Sequence, residues 1–154
     1  MTTVEPPRPL AQRIADTRRL LETSVDAWVA TADPESGRPW MVPLSFAWTG
    51  SLLVLGTGAD STTVRNATAQ PWVRLGIGAV RDVVLVHGRA SVVSMAEVDQ
   101  AEADLFAGRA GFDPRDLSSP YAYLRVTPRR IQAWREENEL DEREIMRDGR
   151  WLSP

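Results

Sequence analysis

The pattern of apolar and polar positions follows the period of a helix at the start of the chain. From Pro9 onward one face recurs every three to four residues, at Leu10, Ile14, Thr17 and Leu21. This spacing predicts an amphipathic helix that ends near Thr23-Ser24. Residues 1–8 are polar and rich in proline, so we expect them to form a flexible N-terminal tail.

A period of two then begins and predicts the strands of a sheet. Residues 25–31 predict a strand, and Asp33–Gly37 predict a turn, because proline presets φ and glycine tolerates a positive φ. In residues 39–48 a large apolar side chain occupies every second position, namely Trp40, Val42, Leu44, Phe46 and Trp48. The other face is small and contains Pro43, which indicates an interrupted ladder with room for a flat ligand against the backbone.

The rest of the chain predicts more strands and two further helices. A turn at Thr49-Gly50 leads into a return strand over residues 51–56, and Val64–Ala69 predict a short helix. Ser94 and Glu97 form a capping box that predicts the start of a helix with Val98, Ala101 and Leu105 on one face. The remaining strands are predicted over residues 72–78, 83–93, 121–127 and 131–134.

The order of these elements predicts the fold class. Strands that follow one another through tight turns pair antiparallel, and Pro128 marks a bulge or bend in the last of them. We expect a mainly β fold in which about six antiparallel strands close into a small barrel with peripheral helices. The length of 154 residues fits one domain, which we place at residues 9–154.

Composition excludes several classes of chemistry. The absence of cysteine excludes a disulfide scaffold, a thiolate metal site and a cysteine nucleophile. His87 is the only histidine, so we expect no metal site and interpret His87 as structural or pocket-lining rather than as a general base. All 18 basic residues are arginine, which excludes a Schiff-base lysine and leaves anions to arginine, backbone amides and hydroxyls.

Charge and hydropathy bear on partners and location. The net charge of −3 argues against a general nucleic-acid binder. No apolar run approaches the roughly 20 residues of a membrane helix, and Glu5 with three prolines stands where a signal peptide would be apolar. We therefore expect a cytoplasmic protein without a membrane partner.

The segment from Gly56 to Asn66 is the best candidate for chemistry. Its glycines allow a tight exit from a strand, and the hydroxyls of residues 61–63 precede a helix whose first amides are unpaired. Such a helix N-terminus can hold a phosphate, and Arg65 could add a bidentate contact. Ordinary helix capping by Ser61 explains the same residues equally well.

Several motifs together resemble the pyridoxamine 5′-phosphate oxidase-like split barrels that bind FMN or coenzyme F420. The resemblance covers roughly residues 10–135 and rests on the order and spacing of its motifs. These are Ala27-Trp28-Val29-Ala30-Thr31, Gly37-Arg38-Pro39, Met41-Val42-Pro43-Leu44, Phe46-x-Trp48-x-Gly50, Ser61-x-x-Val64-Arg65-Asn66, Gln70-Pro71-Trp72-Val73-Arg74-Leu75, Val86-x-Gly88-Arg89-Ala90 and Tyr123-Leu124-Arg125-Val126-Thr127-Pro128.

The resemblance implies a six-stranded antiparallel split barrel that forms a homodimer with its cofactor in the interface groove. It implies cofactor contacts from seven residues, namely Val42, Pro43, Thr57, Ser61, Thr63, Arg65 and Asn66. Many relatives have a lysine where this chain has Thr63, a change that weakens the implied phosphate clamp. The implied activity is hydride transfer between the flavin or deazaflavin and a small-molecule substrate, without a catalytic side chain that can be named. The alternative is a non-catalytic protein that sequesters a flavin, haem or similar planar ligand.

Tryptophan content supports a dimer on separate grounds. The chain has six tryptophans, and the 39–48 strand places Trp40 and Trp48 on one face with three other large apolar side chains. A small barrel has limited interior, so we expect helices or a second subunit to cover this face.

Overall fold

The fold is built from three α-helices and eight strands within residues 5–153, the part of the chain that the computed structural model describes. Two single-turn 3₁₀ helices lie at Pro114–Asp116 and Glu137–Glu139. The elements in chain order are α1 (Leu10–Thr23), β1 (Asp26–Ala32), β2 (Pro39–Trp48), β3 (Leu53–Gly58), α2 (Thr62–Ala69), β4 (Trp72–Ile77), β5 (Val83–Ser94), α3 (Gln100–Ala110), β6 (Tyr121–Trp134), β7 (Glu144–Arg147) and β8 (Arg150–Trp151).

Six of the strands close into a barrel. They pair antiparallel in the order β3-β2-β1-β4-β5-β6, and β3 also pairs with β6, which closes the sheet. The predicted mainly β fold, a closed six-stranded antiparallel barrel with peripheral helices, is therefore confirmed. No helix in residues 5–153 is long and apolar enough to cross a membrane.

The barrel core follows from the alternation within each strand. Inward positions are fully buried, and removing each such side chain from water is worth about 1.5–3 kcal/mol. They include Val29, Phe46, Leu55, Leu75, Val86, Leu124 and Ile131. Leu21 of α1 and Ala67 of α2 join this core, whereas Ala103 and Phe106 of α3 pack with Ala47, Val54 and Tyr123 in a second cluster.

A bulge bends the long β5–β6 ladder. His87 pairs with Arg130 and Gly88 pairs with Pro128, so Arg129 has no opposite residue. This confirms the irregularity predicted at Pro128, which lacks the N–H that a regular ladder uses. The strands approach closely here, because a β-carbon at Gly88 would lie 2.7 Å from Val126 Cγ1.

Two predicted boundaries differ from the structure. The third helix begins at Gln100 rather than after Ser94, because Asp99 is its N-cap and accepts a hydrogen bond from the Glu102 amide. Ser94 instead ends β5, and its amide donates to Glu97 Oε2 in a turn. The predicted elements end at residue 134, but the charged segment that follows forms the β7–β8 hairpin against β6, with Ile145 and Met146 buried.

The N-terminal segment is attached to the rest of the protein ahead of α1, beginning at Glu5, whose carbonyl oxygen accepts a hydrogen bond of 2.7 Å from Asn138 Nδ2. Residues 1–4 of the predicted tail lie outside the described residues, so the tail and the domain limits stay predictions. Within the described part, Arg8 donates to Glu139 Oε2 at 2.7 Å and to Asp16 Oδ2 at 2.9 Å. The ordered chain therefore starts before α1 rather than at it.

Candidate functional site

The barrel is open along one seam, between β2 and β3. These strands pair only from Phe46 to Trp48. Before Phe46, β2 pairs with β1, and beyond Leu55, β3 pairs with β6 over Gly56–Gly58. We call the gap between residues 39–45 of β2 and residues 56–58 of β3 the split.

The open edge of β2 carries two of the predicted cofactor residues. Val42 is half-buried, and Pro43 is exposed on the opposite, outer face of the sheet. The proline does lie where the ladder is interrupted, as its sequence position predicted. Thr57 lies across the split, half-buried near the end of β3.

The N-terminus of α2 follows the split directly. Ser61 is the N-cap, and its hydroxyl accepts a hydrogen bond of 3.2 Å from the Val64 amide. Among the residues described, no acceptor bonds to the amides of Thr62 and Thr63. These two amides and the positive end of the helix dipole form an environment suited to an anion.

Arg65 lies one turn further and is exposed. Its Nη2 donates to Thr62 Oγ1 at 3.0 Å, and no carboxylate of residues 5–153 forms an ion pair with it. The guanidinium therefore retains donors for an anion bound at the first turn of α2.

Two predicted cofactor residues have side chains engaged inside the protein instead. Thr63 is only 2% exposed, and its hydroxyl accepts from Trp40 Nε1 at 3.2 Å. Asn66 is equally buried and donates from Nδ2 to Thr31 Oγ1 at 3.1 Å. These bonds fix α2 against β1 and β2, so the two side chains position the helix rather than reach out to a ligand.

Most of the aromatic face predicted on residues 39–48 packs on the barrel core. Phe46 is fully buried and Leu44 and Trp48 are partly buried against it, whereas Trp40 is 42% exposed. The outer face of the sheet also carries exposed apolar side chains, because Trp28 is 53% and Met41 60% exposed. Pro43 pairs with Trp28 on this same face, and Trp72 of β4 is exposed nearby.

Sequence reasoning missed this exposed face because alternation defines two faces without saying which one is buried. The signal was Trp28, which faces away from the buried Ala27 and Val29 in the same strand. We call Trp28, Met41, Pro43 and Trp72 the outer apolar face. Five clefts on the surface of residues 5–153 are lined by residues other than the seven predicted cofactor residues.

Comparisons with known proteins agree with this architecture. A family model described as pyridoxamine 5′-phosphate oxidase matches residues 15–135. A search of curated proteins found no match. The fold is similar to that of a solved F420 reductase, with 22% identity, a TM-score of 0.59, and coverage of 74% of this chain and 94% of that one.

Two further solved structures share the fold. One is a Clostridium acetobutylicum protein of the pyridoxinephosphate oxidase family, related to general stress protein 26 of B. subtilis. It is 16% identical to this chain with a TM-score of 0.64, and the match covers 81% of this chain and 89% of that one. The other is an FAD-binding protein from Mesorhizobium loti, with 21% identity, a TM-score of 0.57, and coverage of 76% of this chain and 90% of that one.

Proposed function

The chain belongs to the pyridoxamine 5′-phosphate oxidase family, and on this basis we propose that it is an oxidoreductase that binds FMN or coenzyme F420 at the split. The observation that carries the proposal is the first turn of α2, next to the gap between β2 and β3. There the amides of Thr62 and Thr63 have no acceptor among residues 5–153, and Arg65 forms no ion pair with those residues. A phosphate is the group that this arrangement fits best.

Different residues around the split would bind the phosphate and the ring system of the cofactor. The amides of Thr62 and Thr63 and the Arg65 side chain would hold the phosphate, while the Ser61 cap fixes the helix end. The flat ring system would lie against the open edge of β2 at Val42 and Pro43, with Thr57 on the opposite side. When bound, the cofactor supplies the hydride-transfer chemistry itself.

The protein's own contribution is then to bind and to orient. Thr63 and Asn66 hold α2 in place through Trp40 and Thr31, which keeps the phosphate donors at a constant distance from the β2 edge. This preorganisation lowers the entropic cost of binding. The substrate is a small molecule that would approach the exposed side of the split.

We also propose that the active form is a homodimer joined through the outer apolar face. Pro43 belongs both to this face and to the open edge of the split. A second copy that packs on Trp28 and Met41 would therefore cover the exposed side of the cofactor's ring system. Large exposed apolar side chains in one patch are typical of interfaces rather than of free surfaces.

The spectrum of the purified protein tests the proposed function. An FMN complex is yellow with a flavin absorption band, whereas a colourless protein that takes up F420 on titration supports the deazaflavin. Stoichiometric uptake of either cofactor, followed by its oxidation or reduction with a small substrate, supports an oxidoreductase. Uptake of neither cofactor contradicts the proposal, and retention without turnover under any reductant supports sequestration instead.

A further inference from the structure

A narrow cleft on the outer side of β4, β5 and β6 lies apart from the split but beside the outer apolar face, because its His87 stacks on Trp72. Cross-strand pairing places Arg74, His87 and Arg130 side by side on three neighbouring strands. The cleft is lined by these three residues and by Leu85, Val86 and Gln132, without a carboxylate among them. Its enclosed space of about 10 Å³ admits a single water-sized group, such as one oxygen atom of a larger molecule.

The imidazole of His87, which lines the cleft, has a nitrogen without a hydrogen-bond partner among the described residues. Its Nδ1 is buried and has no hydrogen-bond partner within the described chain. The ring stacks on Trp72 with centroids 5.1 Å apart and an interplanar angle of 9°, which fixes its orientation. A buried polar nitrogen without a partner costs free energy, so a group that supplies the missing partner binds favourably here.

The charges around His87 are mostly positive. Burial lowers its pKa, and the guanidinium groups of Arg74 and Arg130 lower it further. On its own strand, Arg89 lies over the Trp72 ring at 5.9 Å. On β7, Glu144 pairs with Arg130, which leaves Arg74 as the cleft arginine with no carboxylate partner among residues 5–153.

We propose that this cleft, which we call the His87 cleft, binds an oxyanion such as a phosphate or carboxylate group. One oxygen enters the cleft and accepts a hydrogen bond from Nδ1 of His87. The guanidinium of Arg74 at the mouth of the cleft supplies the main charged contact, because Arg130 already has Glu144. Gln132 offers an additional amide donor.

Binding at this site is coupled to proton uptake. In the free protein, burial and then the positive neighbours Arg74 and Arg130 lower the pKa of His87 and so disfavour its imidazolium form. A bound oxyanion compensates those charges and accepts from the ring, so it favours the imidazolium form, which also stacks well on Trp72. Anion and proton therefore bind cooperatively, each increasing the affinity for the other.

His87 is the only histidine in the sequence, so its ring signals in an NMR spectrum need no further assignment. The experiment titrates pH in a chloride buffer, with and without inorganic phosphate as the probe. We expect a pKa below that of a free histidine without phosphate, and a rise of about one unit at saturation. That rise corresponds to about tenfold tighter phosphate binding by the protonated form.

Three variants test whether the rise in the pKa of His87 comes from phosphate bound in the His87 cleft. Arg74→Gln should weaken phosphate binding about tenfold, the range for one charge-assisted contact. Arg81→Gln removes an exposed arginine that pairs with Glu136 outside the cleft, and Arg65→Gln removes the proposed cofactor-phosphate contact. Both should leave the response of His87 unchanged, and far-UV circular dichroism checks that each variant is folded.

Three results overturn the proposal. If the pKa of His87 is unchanged at saturating phosphate, its Nδ1 contacts only water and no phosphate binds there. A response that needs no more phosphate in Arg74→Gln than in the wild type, or that disappears in Arg65→Gln, means that the anion binds elsewhere, independently of whether the split binds a cofactor. A pKa already raised without phosphate, which falls on dilution, means that a carboxylate of a second copy fills the cleft.

Discussion

The indole Nε1–H of Trp40 donates a hydrogen bond of 3.2 Å to the hydroxyl of Thr63 and thereby joins the start of β2 to the first turn of α2. This contact spans one end of the split. It ties the proposed phosphate donors to the strand whose open edge would carry the ring. It also turns the Thr63 side chain inward, away from any ligand at the helix N-terminus.

The burial of Thr63 determines the effect of placing a lysine there. Thr63→Lys should lower the free energy of unfolding by about 1–3 kcal/mol, because it removes the bond to Trp40 and overfills a closed site. Thr62→Lys, at the partly exposed neighbouring position, should cost less than about 1 kcal/mol. Urea unfolding followed by tryptophan fluorescence measures both variants, and equal losses would contradict the inward orientation of Thr63.

Glu139 anchors the N-terminal segment to the end of the barrel. It is 4% exposed and accepts from the Arg8 amide, Nε and Nη2 and from the Arg135 amide. Its hydrogen bonds with Arg8 lower its pKa to about 2. We expect Glu139→Gln to reduce the free energy of unfolding at pH 7 by about 2–3 kcal/mol, whereas exposed Glu137→Gln should change it by less than about 0.5 kcal/mol.

The same pKa shift gives a pH dependence. Because the pKa of Glu139 is lower in the folded than in the unfolded state, its contribution is present above about pH 4.5 and is lost as the pH falls toward about 2. The difference in unfolding free energy between the wild type and Glu139→Gln should therefore shrink steadily from pH 5 to pH 3. A difference that stays constant over this range would show that the pKa of Glu139 is the same in the folded and unfolded states.

Much of the barrel could be predicted from the sequence because the signals for its strands come from residues close together in the chain. Examples are the alternation of apolar and polar side chains in residues 39–48 and 83–93, the turn at Thr49-Gly50 and the cap at Ser61. The inward orientation of Thr63 could not be predicted, because it depends on a contact with Trp40, 23 residues away.

Two other errors have the same physical origin. The start of α3 was ambiguous because Ser94–Glu97 and Asp99–Glu102 carry the same capping pattern, and only the pairing of Ser94 with Ala122 of β6 decides between them. The hairpin over Glu144–Trp151 has few apolar residues, so its formation depends on the β6 edge that it joins. Both cases require knowledge of a distant strand.

The outer apolar face makes dimerisation testable by a charge substitution. Wild-type protein should give about twice 17.1 kDa by light scattering at micromolar concentration. Trp28→Glu should shift the mass to that of a monomer, because it places a carboxylate in the proposed interface. Val80→Glu, at a 93% exposed apolar residue in the β4–β5 turn, should remain dimeric. A monomeric wild type would contradict the dimer.

The bulge between β5 and β6 requires glycine at position 88. A β-carbon there would lie 2.7 Å from Val126 Cγ1 and 2.8 Å from the Thr127 carbonyl oxygen. Gly88→Ala should therefore lower the free energy of unfolding by about 2–4 kcal/mol. Gly108→Ala, inside α3 with open space around the position, should be neutral or stabilise by up to about 1 kcal/mol. Thermal unfolding distinguishes the two, and a tolerated Gly88→Ala would refute the close approach.

The most direct test of the account compares FMN with riboflavin, which has the same ring system without the phosphate. The wild type and Arg65→Ala are titrated with each ligand by flavin fluorescence quenching, and with F420 and its phosphate-free chromophore in the same way. If the first turn of α2 holds the phosphate, the wild type should prefer the phosphorylated ligand by at least about tenfold. Arg65→Ala should lose about 1.5–3 kcal/mol of binding free energy for that ligand alone. Equal affinities for phosphorylated and unphosphorylated ligands in the wild type, or no effect of Arg65→Ala, would contradict the central claim that this helix end is a cofactor phosphate site.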